Sequence, residues 1–395
     1  MPFLRPIYTM SGNRLFIIAG EASGDLHASA LIKELLLARS DLQITCVGGD
    51  KMASSGASIL VPSSQLSVVG LFEVFSHVRP IFSAYQRVKG WLKRNRPDLL
   101  ILVDFPEFNL LMAKYAKALK IPVFYYISPQ IWAWRQGRVK KIRAFVDKMA
   151  VILPFEEEFY RKFGVNVSFV GHPLLDSINV EAIETDTVKR QLGISVDQTL
   201  VCLLPGSRKS EIERHLPIMI EASKRIRARF GETSFFIATN SEVLSLVEGI
   251  LDGFARDVKE FIHVVEGKTL EAIKASRLCL AASGTVTLES AIIGTPVVVM
   301  YKVSRLSYLA GKRLIKVPWI SLVNLIAQKR VVPEFIQNDA NPENIASCSL
   351  QILMDQRVEQ EMKRDFREVV KQLGAKGVAK RVAKLVMELL VQKAS

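Results

Sequence analysis

Two stretches carry residue types at spacings that suit chemistry on a phosphorylated substrate. The first is CLAASGTVTLESAIIGTPVVVMY, residues 279–301. An apolar run over 278–282 stops at Ser283-Gly284-Thr285, and a helical run follows. Gly294-Thr295-Pro296 ends the helix, because Gly supplies a C-terminal cap and Pro cannot continue it. The β-branched residues 297–299 read as the next strand. A strand that passes into a helix through small polar residues leaves backbone N–H groups unpaired. It also points the positive end of the helix dipole at its guest, which suits a phosphate. Glu289 lies one turn after Thr285 and shares its face. A carboxylate on so apolar a helix needs a partner, and a ribose diol would serve. The plain alternative is an ordinary β–α turn with a surface glutamate.

The second stretch is Pro205-Gly206-Ser207-Arg208-Lys209, after an apolar strand at 199–204. Here a planar guanidinium and turn N–H groups could share one anion. Taken together, the two turns suggest a diphosphate at two helix N-termini and a ribose at Glu289. A different half of the chain holds Asp104-Phe105-Pro106-Glu107-Phe108-Asn109, at the end of a strand over 98–103. Parallel α/β sheets place ligands at such strand ends. A carboxylate there can act as general base on an acceptor hydroxyl while a diphosphate leaves from the other half. Trp132 and Trp134 beside Arg135 either stack on a sugar or pack in the interior. His172, which precedes a proline, reads as a turn residue. No Ser-His-Asp or metal-ligand spacing competes, so neither metal nor cofactor is expected.

The elements that must position these residues repeat. A strand at 14–19 runs into Gly20-Glu21-Ala22-Ser23-Gly24-Asp25, then a helix, then a strand at 44–48: a βαβ opening. Its glycines do not fit a dinucleotide fingerprint, and no P-loop lysine follows. The turn is either ligand-facing or simply tight. Strands are expected at 98–103, 122–127, 148–153 and 167–170. A polar segment, 176–198, reads as a linker. Strands at 199–204, 234–239, 261–265 and 278–282 then restart the pattern. Two βα-repeating halves predict an α/β protein with two parallel sheets and a cleft between them. The crowded apolar residues of 60–84 read as a core helix or as a lip for an acyl chain or a membrane surface. A basic helix is expected after Tyr301, and a charged helical tail from about 355 should pack on another domain or chain.

The chain has 395 residues, 49% of them hydrophobic, and a net charge of +14, which favours anionic partners. Cys46, Cys202, Cys279 and Cys348 lie far apart; the first three sit within apolar strands and read as small core residues, and a reducing compartment is expected. No stretch reaches the roughly 20 apolar residues of a membrane span.

GEASGD (20–25), SPQIWAWR (128–135), LPGSR (204–208), ASGTVTLE (282–289), SLVNLIA (321–327) and VVPEFIQ (331–337) together resemble the lipid-A-disaccharide synthase family, in its motif order. The resemblance implies a GT-B fold, with two Rossmann-like parallel-sheet domains facing across a cleft. It implies an acceptor-binding domain over 1–175, a UDP-sugar-binding domain over 176–350, and a helical tail over 351–395 that packs back on the first domain or on a partner chain. The implied reaction is an inverting transfer of 2,3-diacylglucosamine from its UDP conjugate to the 6-hydroxyl of 2,3-diacylglucosamine 1-phosphate. That gives the β-1′,6-linked lipid A disaccharide 1-phosphate and UDP, without a metal. The family pattern is Asp-x-Pro-Asp-Phe-Asn, and its second acid, the base by this resemblance, is Glu107 here, with Asp104 in reserve and Asp98 a further activity-linked position. Gly206, Ser207, Arg208, Ser283, Gly284, Thr285, Glu289 and Asn324 are implied in nucleotide-sugar binding, and Glu21, Ser23, Gly24 and Asp25 in the rest of the active site. The resemblance further implies a homodimer in the cytoplasm, peripherally attached to the anionic inner-leaflet surface of a Gram-negative inner membrane, with no nucleic acid partner. Two other classes stay in view: a UDP-sugar 2-epimerase of the same fold, and a nucleic-acid binder suggested by charge alone.

Overall fold

A computed structural model describes residues 13–66, 74–183, 185–191, 195, 198–304, 308, 311 and 317–394. The chain divides into two compact units, one of residues 1–176 with 374–395 and one of residues 177–373.

The first unit is built on a seven-stranded sheet, all parallel: β1 (Arg14–Ala19), β2 (Gln43–Gly48), β3 (Ser58–Pro62), β4 (Leu99–Val103), β5 (Val123–Tyr126), β6 (Lys148–Val151) and β7 (Val167–Phe169). Their spatial order is β3-β2-β1-β4-β5-β6-β7. The order reverses between β1 and β4, and such switch points open a crevice at the strand C-termini. Strands buried on both faces read as unbroken apolar runs, and LLILV of β4 is buried at all five positions. Separate hydrophobic clusters cover the two faces. One of them is completed by Val378, Val382, Val386 and Leu390 of the last helix, Val378–Ala394, which packs on the helix Ala22–Ala38.

The second unit repeats the plan with β8 (Thr199–Leu204), β9 (Thr233–Thr239), β10 (Ile262–Glu266), β11 (Leu278–Ala282), β12 (Val297–Tyr301) and β13 (Glu334–Ile336). Its six parallel strands lie in the order β10-β9-β8-β11-β12-β13. β8 and β11 are neighbours, so the turns that leave them share one edge of the sheet.

The sequence pattern did not predict β3 or β13. Both are short outer strands: β3 exposes three of its five residues, and β13 has three residues, all half-buried. The expected helix over 60–84 is also revised. β3 extends to Pro62, a 3-10 turn covers Ser63–Gln65, and a helix occupies Val74–Asn95. Residues 67–73, where much of the proposed lip falls, lie outside the described residues, as does most of the basic segment expected at 305–316. Cys46, Cys202 and Cys279 are buried free thiols and Cys348 is partly buried.

Candidate active site

In the first unit the site grows from a strained turn. β4 ends at Val103, and both Asp104 and Phe105 adopt left-handed backbone, with φ of 47° and 48°. Two such non-glycine residues in succession cost roughly 1–2 kcal/mol each. The surroundings hold them there. Asp104 N–H donates to the Tyr126 carbonyl at 3.1 Å. The Asp104 carbonyl accepts the Tyr125 hydroxyl at 2.7 Å and Asn109 Nδ2 at 2.6 Å, and Asn109 also donates to the Val103 carbonyl at 3.2 Å. Phe105 turns its ring onto Gly20, where an added Cβ would meet ring carbons at 2.4–2.7 Å. This is why the turn after β1 opens with glycine.

The turn leaves the Asp104 carboxyl mostly buried at the strand end. Burial, reinforced by the neighbouring Glu21 carboxylate, raises it to about 6. Glu107 sits three residues further on, exposed in the first turn of the helix Pro106–Ala118. Its Oε1 accepts Arg138 Nη2 at 2.6 Å and Arg135 Nη1 at 3.3 Å. Glu21 occupies the N-cap position of the helix Ala22–Ala38, without a side-chain capping hydrogen bond, and Ser23 is exposed beside it.

Three expected site residues have other work. Gly24 lies where the helix approaches β1 and β4, with an added Cβ 3.3 Å from Ala19 Cβ. Asp25 is buried, and its carboxylate accepts the N–H groups of Gly49 (2.7 Å), Lys51 (3.2 Å) and Met52 (3.3 Å), capping the helix Asp50–Ser54. Asp98 precedes β4, at the opposite end from Asp104, and its Oδ2 accepts Arg14 N–H at 3.1 Å. A five-residue strand separates the two carboxylates by roughly 17 Å, so Asp98 is not brought to the cluster.

Of the tryptophans, Trp132 is buried and donates Nε1–H to Glu156 at 3.0 Å, whereas Trp134 is exposed with the Arg135 guanidinium 4.4 Å from its ring centre. Glu156 was not singled out from the sequence. It is fully enclosed, accepts Ser128 Oγ–H at 2.6 Å as well, and takes the N–H groups of Ile152 and Leu153. Desolvation pushes it up to about 7, against those hydrogen bonds. His172 is buried in the turn before the short helix Leu174–Ser177, where its Nδ1 accepts Leu174 N–H.

In the second unit the two expected helix N-termini differ. At the helix Val286–Ile293, Gly284 and Thr285 are exposed, and an added Cβ on Gly284 meets nothing within 4 Å. Ser283 is fastened from behind, its hydroxyl donating to the Ile320 carbonyl at 2.8 Å. Glu289 is mostly buried, and desolvation raises its carboxyl. At the helix Lys209–Phe230 the position is taken: Glu211 Oε2 accepts Ser207 N–H at 3.2 Å and Arg208 N–H at 3.4 Å. Gly206 passes this carboxylate at φ 121°, where a side chain would collide with it. The Arg208 guanidinium stays 76% exposed, 3.6 Å from Glu211.

Asn324, expected among the donor ligands, is instead fully engaged internally. Its Oδ1 accepts Val331 and Val332 N–H at 2.7 and 2.9 Å, and its Nδ2 donates to the Val332 carbonyl and Glu334 at 2.9 and 2.8 Å. Glu334 also takes Ile320 and Ser321 N–H, both at 2.9 Å. Asn324 therefore builds the 320–334 loop that buttresses Ser283. Among the described residues no His, Cys, Asp and Glu group is placed to hold a metal ion.

Two doubly wound parallel units, with an open helix N-terminus at Gly284–Thr285 in one and a mostly buried strand-end carboxylate in the other, define a GT-B type of α/β protein. Solved structures share this fold. The calicheamicin glycosyltransferase CalG4 aligns over 98% of this chain and all of its own, with a TM-score of 0.62 at 14% identity. A UDP-GlcNAc 2-epimerase from Neisseria meningitidis, bound to UDP-GlcNAc, aligns over 96% of this chain with a TM-score of 0.62 at 12% identity, covering 100% of that structure. The sequence family described as lipid-A-disaccharide synthetase matches residues 15–389. The lipid-A-disaccharide synthase of Geobacter metallireducens is 42% identical over 385 residues, 98% of this chain and 99% of that protein. That of Nitrosococcus oceani is 44% identical over 374 residues, 95% of each. The chain belongs to the lipid-A-disaccharide synthase family, a family of UDP-sugar glycosyltransferases.

Proposed function

We propose that the chain joins UDP-2,3-diacylglucosamine to 2,3-diacylglucosamine 1-phosphate, with inversion, and that Asp104 is the base. The observation that carries the base assignment is the contrast at the end of β4. Asp104 is largely withdrawn from water with its carboxyl raised to about 6, the range in which a carboxylate accepts a proton effectively near neutral pH. Glu107, the base implied by the family pattern, is 70% exposed and has one oxygen committed to two guanidiniums. In the reaction the acceptor's O6–H proton passes to Asp104, the oxygen bonds to the donor's anomeric carbon, and the bond to the diphosphate breaks. UDP leaves with the electron pair. Gly284 and Thr285 at their helix N-terminus, together with Arg208, receive the diphosphate, and Glu289 holds the ribose. Ser283 and Asn324 position that turn, Gly206 and Ser207 carry Arg208, and Glu21 sustains the raised Asp104.

The acylated substrates call for a lipid surface. Among the described residues no helix is long and apolar enough to cross a membrane. A net charge of +14 and exposed Phe82, Leu111 and Trp134 suit peripheral attachment to an anionic inner-leaflet surface, and we propose that location, with a homodimer as the working state.

The deciding experiment supplies both acylated monosaccharides in detergent and follows disaccharide and UDP in equal amounts. Epimerised sugar from UDP-N-acetylglucosamine alone, with no disaccharide from the acylated pair, would overturn the assignment.

A further inference from the structure

The segment between β5 and β6 presents two guanidiniums to one exposed carboxylate. Its geometry is fixed from beneath: Glu156 fastens Ser128 and Trp132, and Gln136 donates back to the Trp132 carbonyl at 3.0 Å. Arg135 adopts left-handed backbone at φ 56°, and its carbonyl accepts Arg138 N–H at 3.0 Å. Its guanidinium lies over the Trp134 ring, which limits its freedom. The Arg138 side chain is only 19% exposed, yet its Nη2 reaches out to Glu107 Oε1 at 2.6 Å. Arg135 approaches the same oxygen at 3.3 Å. Exposed ion pairs contribute about 0–1 kcal/mol, so stability alone is a weak reason for two ordered arginines to meet one exposed acid.

We propose that Arg135 and Arg138 are the seat for the acceptor's anomeric phosphate, with Glu107 keeping the place until it binds. The inference rests on the acceptor being a sugar 1-phosphate, as proposed above. A phosphomonoester carries about −1.5 to −2 charges and three acceptor oxygens, and suits two guanidinium forks better than one carboxylate oxygen does. Position agrees with this. Glu107 stands three residues after Asp104, so phosphate and reacting hydroxyl, at opposite ends of one sugar ring, are gripped from the same strand end. The first turn of the helix Pro106–Ala118 adds the favourable end of its dipole. Glutamate in place of the family's aspartate reaches one methylene further toward the arginines.

The test compares 2,3-diacylglucosamine 1-phosphate with the same sugar bearing a free anomeric hydroxyl, in detergent at saturating donor. The wild type should prefer the phosphorylated acceptor. Arg138→Ala should lower the ratio of kcat/KM values, phosphorylated over free, by about tenfold or more. Arg138→Lys should fall between the two, and Arg135→Ala should show a smaller loss of the same kind. Glu107→Gln should lower KM for the phosphorylated acceptor. If Arg138→Ala and Arg135→Ala each lose the same factor on both acceptors, or if Glu107→Gln abolishes turnover, the seat is elsewhere. Should wild type join neither acceptor, the functional reading itself fails, which is a separate result.

Discussion

His215 holds the backbone N–H of Lys302 on its Nε2 at 3.0 Å. Its other ring nitrogen, Nδ1, lies 2.9 Å from the Pro205 carbonyl. With one neighbour an N–H and the other a carbonyl, the neutral tautomer is fixed: Nδ1 carries the proton and Nε2 accepts. The ring is completely buried, and desolvation lowers its pKa. It thus ties the turn bearing Arg208 to the residue that follows β12, on the edge proposed to hold UDP.

Loss of that tie should loosen the donor site. His215→Ala is expected to weaken UDP binding about tenfold by calorimetry, since leaving buried groups unpaired costs roughly 1–3 kcal/mol each. His215→Asn, which restores a donor toward Pro205, should recover part of the affinity. Protonation would set a second N–H against Lys302. The neutral ring is favoured in the fold, so its contribution is present above the ordinary imidazole range and lost as pH falls through the lowered folded value. Wild-type affinity for UDP should therefore drop faster on acidification than that of His215→Asn. Lower thermal stability in His215→Ala with UDP affinity intact would show that the tie serves folding alone.

Asp104 sets a pH dependence on rate. Its folded value, about 6, lies above the ordinary 3.8, so kcat should fall tenfold per unit as pH drops below about 6. Asp104→Asn should remove at least a thousandfold of turnover while leaving UDP affinity unchanged. The sign for stability is opposite. A raised carboxyl stabilises the fold below the unfolded value, and that contribution is lost as pH rises through about 6. At pH 8 the asparagine variant should therefore melt higher, by about 1–2 kcal/mol after allowing for partial solvent contact. A variant that is inactive and also less stable at pH 8 would contradict this account.

Gly20 and Phe105 are coupled by contact. A methyl at Gly20 would meet the Phe105 ring near its root at 2.4–2.7 Å, where no far end can swing away. Gly20→Ala is expected to lower kcat by about 10–100-fold through the displaced turn at Asp104, since misplacement of about 1 Å is that costly. Gly20→Ala combined with Phe105→Ala should recover more activity than the sum of the single effects predicts. Additive losses across that cycle would place the role of Gly20 elsewhere.

Where each unit's sheet lies was readable from the sequence. β1, β8 and β11 match their expected bounds residue for residue, because the positions buried on both faces of a parallel sheet are filled by apolar residues. The strand-end turns at Asp104, Arg208 and Ser283 were readable too, since Gly, Ser, Pro and charged residues interrupt those runs. The edge strands β3 and β13 were not. Outer segments of only three to five residues, with few buried positions, are too short to show a period.

What each polar side chain does was decided only by the folded chain. The motif resemblance put Glu107 first as the base, with Asp104 in reserve. The structure separates them, because burial raises one while the arginines of a segment some 30 residues away claim the other. Asn324 and Asp25 were expected among the site residues and are engaged within the fold, Asp25 by backbone N–H groups and Asn324 by backbone groups and the Glu334 carboxylate, whereas His215, Glu156 and Glu211 were not singled out and hold the site's turns. Composition and periodicity record which residues must leave water. Whether a buried polar group faces a guest or a neighbouring loop depends on partners distant in the chain, and only tertiary contact assigns those.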